Sequence, residues 1–206
     1  MFSKIFDGVN RALATKLMLA HILIIAISNY IVQYKIDIAG HPLSIAAFTF
    51  PLVVVLTDLT VRLIGKETGR AVIGIAFIPA IIVSILIVLA SGAPMSVAVR
   101  IGLGSGFAYF ISNLLDVYVF QYFREKYQNT WYIAPTLSAI VSTFIDTYTF
   151  FGVAFAGGDD PFMSQHWVEV ATNNSISKLI ISLAVILPAY GMLLNFIQRK
   201  LGKVEN

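Results

Sequence analysis

The sequence predicts an all-α integral membrane protein, a single bundle of six transmembrane helices with both termini cytoplasmic. Three observations carry this. Of 206 residues, 58% are apolar, only 12% are charged and none is cysteine. Soluble domains carry about 25% charged residues, and one built this way would leave large apolar patches in water. Second, a spanning helix needs ~20 mostly apolar residues, and six stretches supply them, at 17–34, 43–64, 71–91, 98–123, 131–156 and about 170–197. Little chain is left for a second domain. Residues 1–206 therefore read as one transmembrane domain, with a short cytoplasmic segment at 1–16 and a tail at 198–206. Third, eleven of the fourteen Lys and Arg fall on one side of these spans. They lie before helix 1, in the second and fourth connections and in the tail, which makes that side cytoplasmic. Asp37, Asp159 and Asp160 lie in the opposite connections.

Each helix has its own signal. Helix 1 follows basic residues, as a signal peptide would. However, Ile25–Ser28 leads into Asn29-Tyr30 rather than a small-x-small cleavage site, so it reads as a retained helix. At ~100° per residue, helix 2 aligns Ser44, Phe48, Pro51, Asp58 and Arg62 on one strip. Helix 3 has no charge between Arg70 and Arg100, which suits a lipid-facing element. Helix 4 aligns Ser105, Tyr109, Ser112 and Asp116, with Asn113 at the margin, and helix 5 aligns Ser138, Ser142, Asp146 and Thr149. Helix 6 carries Asn173, Asn174 and Lys178. Trp131 and Trp167 fall at predicted boundaries and read as interfacial anchors. Gly102-x-x-x-Gly106 reads as a helix-packing face, because small residues let backbones approach.

Ionisable groups inside a membrane cost a few kcal/mol each and usually face a cavity or a partner. Asp58, Arg62 and Asp116 lie within about two turns of the cytoplasmic boundary. Asp146, fifteen residues beyond Trp131, stands roughly 22 Å in at ~1.5 Å per residue. Lys178 should sit at a similar outer level. The plain alternatives are an i,i+4 pair for Asp58–Arg62 and a neutralising, register-fixing pair for Asp146–Lys178. Asp116 has no basic partner within four residues. Asn29 and Gln33 on helix 1, with the helix 6 amides, can donate and accept at once. A desolvated carboxyl in this setting is also a candidate for proton coupling.

No metalloprotease, P-loop, dinucleotide or EF-hand pattern occurs. Three scattered histidines without thiolates do not suggest a metal site, and no nucleophile–base pair suggests an enzyme. No cofactor is expected. Without an ATP-binding motif, active transport would use an ion gradient or a separate motor subunit.

From about Leu17 to Asn195 the chain resembles the integral-membrane queuosine-precursor transporters, a family also known as the vitamin uptake transporters. The resemblance rests on Ser28-Asn29-Tyr30 with Gln33, Phe50-Pro51, Thr57-Asp58-Leu59-Thr60-Val61-Arg62, Leu115-Asp116-Val117, Ala134-Pro135-Thr136, Asp146-Thr147, His166-Trp167 with Glu169, Lys178 and Pro188-x-Tyr190-Gly191. It implies uptake of a 7-deazaguanine base, notably 7-cyano-7-deazaguanine or its aminomethyl counterpart, across the bacterial cytoplasmic membrane. The implied partners are that small molecule and membrane lipid, with no nucleic acid; a homo-oligomer is compatible. Chemistry then suggests the roles. Asp146 or Asp116 would accept hydrogen bonds from the guanine-like edge, and an amide, Lys178 or Arg62 would donate to its carbonyl. Phe48, Phe50, Tyr109 or Tyr148 would stack on the ring. Asp58–Arg62 and Asp146–Lys178 would stabilise inner and outer closures during alternating access. Asn29, Gln33, Phe48, Asp58, Arg62, Tyr109, Asn113, Asp116, Asp146, Asn174 and Lys178 form the candidate site. The alternatives from other classes are the substrate-binding membrane subunit of an ATP-driven vitamin importer, a membrane-embedded enzyme and a channel.

Overall fold

The structure, a computed structural model, describes residues 8–31, 34–38, 41–128 and 130–200, with residues 35–38 and 41–44 described by their backbone. Gln33 lies outside the described residues.

Among the described residues, six helices are long and apolar enough to cross a membrane. Helix α1 spans Arg11–Ile31, starting where Asn10 caps it: Leu13 N donates to Asn10 Oδ1 at 3.1 Å, the usual way to satisfy an orphan first-turn N–H. A short antiparallel hairpin follows, β1 (Lys35–Ile38) against β2 (His41–Ser44), in the register Lys35↔Ser44 to Ile38↔His41. The sequence pattern indicates only a connection there. Then come α2 (Ala46–Leu63), α3 (Lys66–Ala90), α4 (Met95–Lys126) and α5 (Ile133–Phe155). The α2–α3 reversal takes only Ile64 and Gly65, and Gly65 adopts φ 124°, a region that favours glycine.

The last span begins earlier than expected. Helix α6 starts at Pro161 rather than near residue 170, because Asp160 caps it. Its carboxylate accepts from Phe162 N at 2.9 Å and Met163 N at 3.0 Å, and Pro at the first position lacks an N–H that would be unsatisfied there. His166 and Trp167, expected in a connection and at a boundary, are thus helical. The helix runs to Ile181, widens into a π-helical turn over Ser182–Ile186, and continues as α7 from Leu187 to Lys200. Pro188 accounts for the widening. Its ring would clash with the carbonyl of Ala184 in a regular α-helix, and a π turn relieves such a conflict.

Helix α4 is the central element, packed between α3 and α5. Its glycines explain how. A Cβ on Gly102 would lie 3.1 Å from Ile85 N and 3.3 Å from Ile81 O, and one on Gly106 would overlap Ile81. Gly104, on the opposite face, would meet Phe150 O of α5 at 3.1 Å. The Gly-x-x-x-Gly strip is therefore a packing face against α3. Helix α3 in turn buries Ile73, Ala76 and Ala80 and exposes Ile78, Ile82 and Leu86. The expectation of a lipid-facing helix holds for one side of it. Leu19, Leu23, Ile176, Ile180, Met192 and Phe196 continue this exposed apolar surface, which suits hydrocarbon and not water.

Gly102→Val should destabilise the protein by about 1–3 kcal/mol, the usual cost of overpacking, because backbone atoms of α3 cannot yield. Gly74→Ala, where an added Cβ meets nothing within 4 Å, should be neutral or slightly stabilising. Thermal unfolding of the detergent-purified variants measures both.

Candidate functional site

The polar strips converge on one cavity. A space of about 720 Å³ opens between α1, α2, α4, α5 and α6, with the end of α3 at its margin. Helix α1 contributes Asn29, α4 contributes Ser105, Tyr109, Ser112 and Asn113, α5 contributes Ser142, Thr143 and Asp146, and α6 contributes Asn174 and Lys178. Apolar and aromatic walls complete it, chiefly Phe50, Phe150, Phe151 and Phe155. Small-molecule sites commonly have this character, a largely apolar pocket of roughly 300–1,000 Å³ with a few placed polar groups.

Lys178 is the best-held ion in the cavity. Its Nζ donates to Asp146 Oδ2 at 3.2 Å and to Thr147 Oγ1 at 3.3 Å. It also sits 4.9 Å from the centroid of the Phe50 ring, a cation–π contact that gains strength where water is scarce. The Lys178 side chain is 12% exposed and that of Asp146 29%, so the lysine is enclosed and the carboxylate keeps a face toward the space it lines. Lys178 therefore points into the bundle rather than out of it.

Other polar side chains fix the helices around the space. Ser28 Oγ donates to Thr49 Oγ1 at 2.7 Å, joining α1 to α2, and Asn29 Nδ2 donates to Ser84 Oγ at 2.7 Å, joining α1 to α3. His21 Nδ1 and Tyr109 Oη hydrogen-bond at 2.9 Å between α1 and α4. Asn113 spends its amide internally: Nδ2 donates to Tyr109 O at 2.8 Å and Oδ1 accepts from the Thr57 hydroxyl at 3.1 Å. Arg100 donates to the carbonyls of Ala154 and Ala156 at 3.0 and 2.6 Å, placing a cation at the C-terminal end of α5, where the helix dipole favours one.

The candidates thus divide. Asn29, Tyr109, Asn113, Asp146, Asn174 and Lys178 line the cavity. Asp116 lines neither this cavity nor a smaller one beside it, although it continues the α4 strip. It is fully buried and lies within electrostatic reach of Asp58, with Ser138 and Ser142 close by. Asp58 lines the smaller cavity, of about 40 Å³, together with Tyr190 and the π turn. Arg62 acts on both Asp58 and Tyr190. Phe48 is half-buried and lies away from the cavity; its neighbour Phe50, two residues and about 200° around the helix, takes the place expected of it. Tyr148 instead hydrogen-bonds Thr172 at 2.7 Å. Sequence reasoning missed Phe150, Phe151 and Phe155, because aromatic residues in an apolar span read as core or lipid-facing. Thr143, one residue off the α5 strip, was missed too.

Six spanning helices around a central cavity that holds an ion pair are the architecture of a multi-pass membrane transporter, and the comparisons with known proteins agree. The profile of the Putative vitamin uptake transporter family matches residues 44–193. The chain is 37% identical over 197 residues to a protein of Escherichia coli K12 named queuosine precursor transporter, covering 90% of this chain and 88% of the relative. It is 38% identical over 204 residues to one of Haemophilus influenzae Rd named probable queuosine precursor transporter, covering 88% and 86%. No solved structure matches. The chain belongs to the queuosine precursor transporter family and, with its six spanning helices, is a multi-pass protein of the bacterial inner membrane.

Lys178→Met should lower stability by about 1–3 kcal/mol, less than the ~3–5 kcal/mol of a fully buried broken pair because Asp146 is partly exposed. Adding Asp146→Asn in the same chain should restore much of the loss. Unfolding temperatures of the two single variants and the double variant give the coupling directly.

Proposed function

We propose that this protein imports a 7-deazaguanine precursor of queuosine, 7-cyano-7-deazaguanine or its aminomethyl counterpart, by alternating access around the central cavity. The carrying observation is the pairing of an accessible carboxylate, Asp146, with aromatic walls in a space large enough for a bicyclic base. A guanine-like edge presents adjacent N–H donors and one carbonyl acceptor. Asp146 accepts from the donors, and Lys178 or the amides of Asn174 and Asn29 donate to the carbonyl. A well-placed bidentate contact of this kind discriminates by about 1–3 kcal/mol. Stacking on an aromatic ring, with Phe50 or Phe150 as the platform, adds about 1–3 kcal/mol per base and tolerates variation at the 7-substituent.

The names of the relatives support transport over the role of a capturing subunit in an ATP-driven importer. The Lys and Arg distribution supports cytoplasmic termini, so that β1–β2 and the start of α6 face outward and import runs toward the π turn. A site among several helices near mid-membrane is the usual arrangement for such carriers.

In a host unable to make the precursor and lacking its own transporter, this gene should restore queuosine-modified tRNA at low external precursor. Failure to do so with correctly inserted protein would overturn the reading. Asp146→Asn should raise the KM for labelled precursor about tenfold, the equivalent of ~1.4 kcal/mol, whereas Phe48→Ala should leave uptake within about twofold. Uptake assays in membrane vesicles measure both.

A further inference from the structure

Below the cavity lies a second polar centre, which the recognition proposed above does not use. Asp58 is 2% exposed and Asp116 0%. Among the described residues, Oδ1 of Asp58 and both carboxyl oxygens of Asp116 have no hydrogen-bond partner. The same holds for the hydroxyl of Tyr190, itself 2% exposed, which shares the 40 Å³ cavity with Asp58. The groups acting on the pair come from every side of it. Asp58 feels Asp116 from α4, Ser138 from α5 and Arg62 from its own helix, and Asp116 feels Asp58, Ser138 and Ser142. Tyr190 from α7 feels Asp58, Arg62 and Arg124. Arg62 acts on Asp58, and Asp58 with the two serines acts on Asp116. With both carboxyls ionised, a second negative charge is held in this buried centre inside a membrane, which is costly. One added proton removes it and supplies a donor for the carboxyl oxygens.

This centre adjoins the cavity without opening into it. Pro51, Val54 and Thr143 line both spaces. Ser142 lines the central cavity and lies beside Asp116, and Thr57, next to Asp58 in the chain, bonds to Asn113 of the cavity wall. A change of charge at the pair is therefore felt by the wall, and a helix shift on substrate binding is felt by the pair.

We propose that Asp58 and Asp116 form a proton-binding site, distinct from the substrate cavity, whose loading and release couple precursor import to inward proton movement. The inference rests on the transport reading above. The step is a simple one: a carboxylate oxygen takes a proton from water on the outer side, the loaded pair moves through the conformational change with substrate aboard, and the proton passes to cytoplasmic water. No covalent bond to the substrate forms or breaks.

The test uses the purified full chain in two arms. Infrared spectroscopy at neutral pH should show a protonated-carboxyl C=O band in the wild type that is lost in Asp116→Asn. Its absence in the wild type, or its persistence in both Asp116→Asn and Asp58→Asn, overturns the site whatever the protein carries. In proteoliposomes held at zero potential, an inward gradient of about one pH unit should drive about tenfold accumulation of labelled precursor, the limit for one proton per substrate. Asp116→Asn should retain counterflow, exchange of labelled for unlabelled precursor, but lose accumulation. Wild-type counterflow without a response to pH, a response to a sodium gradient instead, or gradient-driven accumulation by Asp116→Asn each overturns the coupling. A wild type with no counterflow counts against the transport reading, and the infrared arm still decides the proton site.

Discussion

The apolar solvent that surrounds this chain constrains everything in it. In hydrocarbon a polar group must find its partner within the protein, and with 58% apolar residues and 12% charged there are few polar groups to place. Ser28 reaches Thr49, Asn29 reaches Ser84, and His21 meets Tyr109, so that α1 is tied to α2, α3 and α4 by single side chains. Each bond also sets the rotation of a helix. Lys178 is the extreme case: a charge enclosed within the bundle fixes α6 against α5 through Asp146 and Thr147 and against α2 through Phe50.

Packing and polarity divide the labour along α4. A Cβ on Gly102 or Gly106 would run into Ile85 or Ile81 of α3, and one on Gly104 would press on the α5 backbone at 3.1 Å. Serine, tyrosine and asparagine occupy the strip between these contacts and face the cavity. The helix is both a packing core and a polar wall because its smallest residues stand where backbones approach. Hydrophobic association is weak between helices in lipid, so close van der Waals contact has to hold them. A similar fit recurs at the other end of the bundle, where Trp131 lies over Gly191 and stacks with Tyr190. Trp131, expected to anchor at an interface, packs so as to hold the Tyr190 hydroxyl beside Asp58.

Periodicity made the spans and the strips legible, since helical projection needs only the angle per residue. Ser105, Tyr109 and Ser112 on α4, and Ser142 and Asp146 on α5, face the cavity as projected. Depth and neighbours were not legible. Asp116 projects onto the cavity side, yet it sits one turn past the last cavity-lining group and finds Asp58 instead. Phe48 shared the polar strip of α2 in projection, but the cavity meets that helix on the side of Phe50. Projection treats each helix alone, and which part of its face meets a void depends on where the neighbouring helices stop. The early start of α6 was written in Asp160-Pro161, a capping pair outside the apolar run that marked the span. The π turn was hidden for a related reason, because Pro188 in an otherwise apolar segment did not reveal how its conflict would be relieved.

The two carboxylate centres differ in what accompanies them, and this difference is mechanistically informative. Asp146 has a lysine at 3.2 Å and an open face, so it can exchange partners with a ligand while its charge stays compensated. Asp58 and Asp116 are buried close together, and Asp58, with Arg62 acting on it, lines a small cavity with Pro51 and the π turn, where the regular helix ladder is already interrupted. A change of charge does little in a rigid, fully hydrogen-bonded core. Beside weakened helix segments it can shift which of two packings is favoured, provided the two differ in their affinity for the added charge. The upper centre is therefore suited to recognition and the lower one to switching. The thin wall of Thr143, Pro51 and Val54 between them is the shortest route by which one could sense the other.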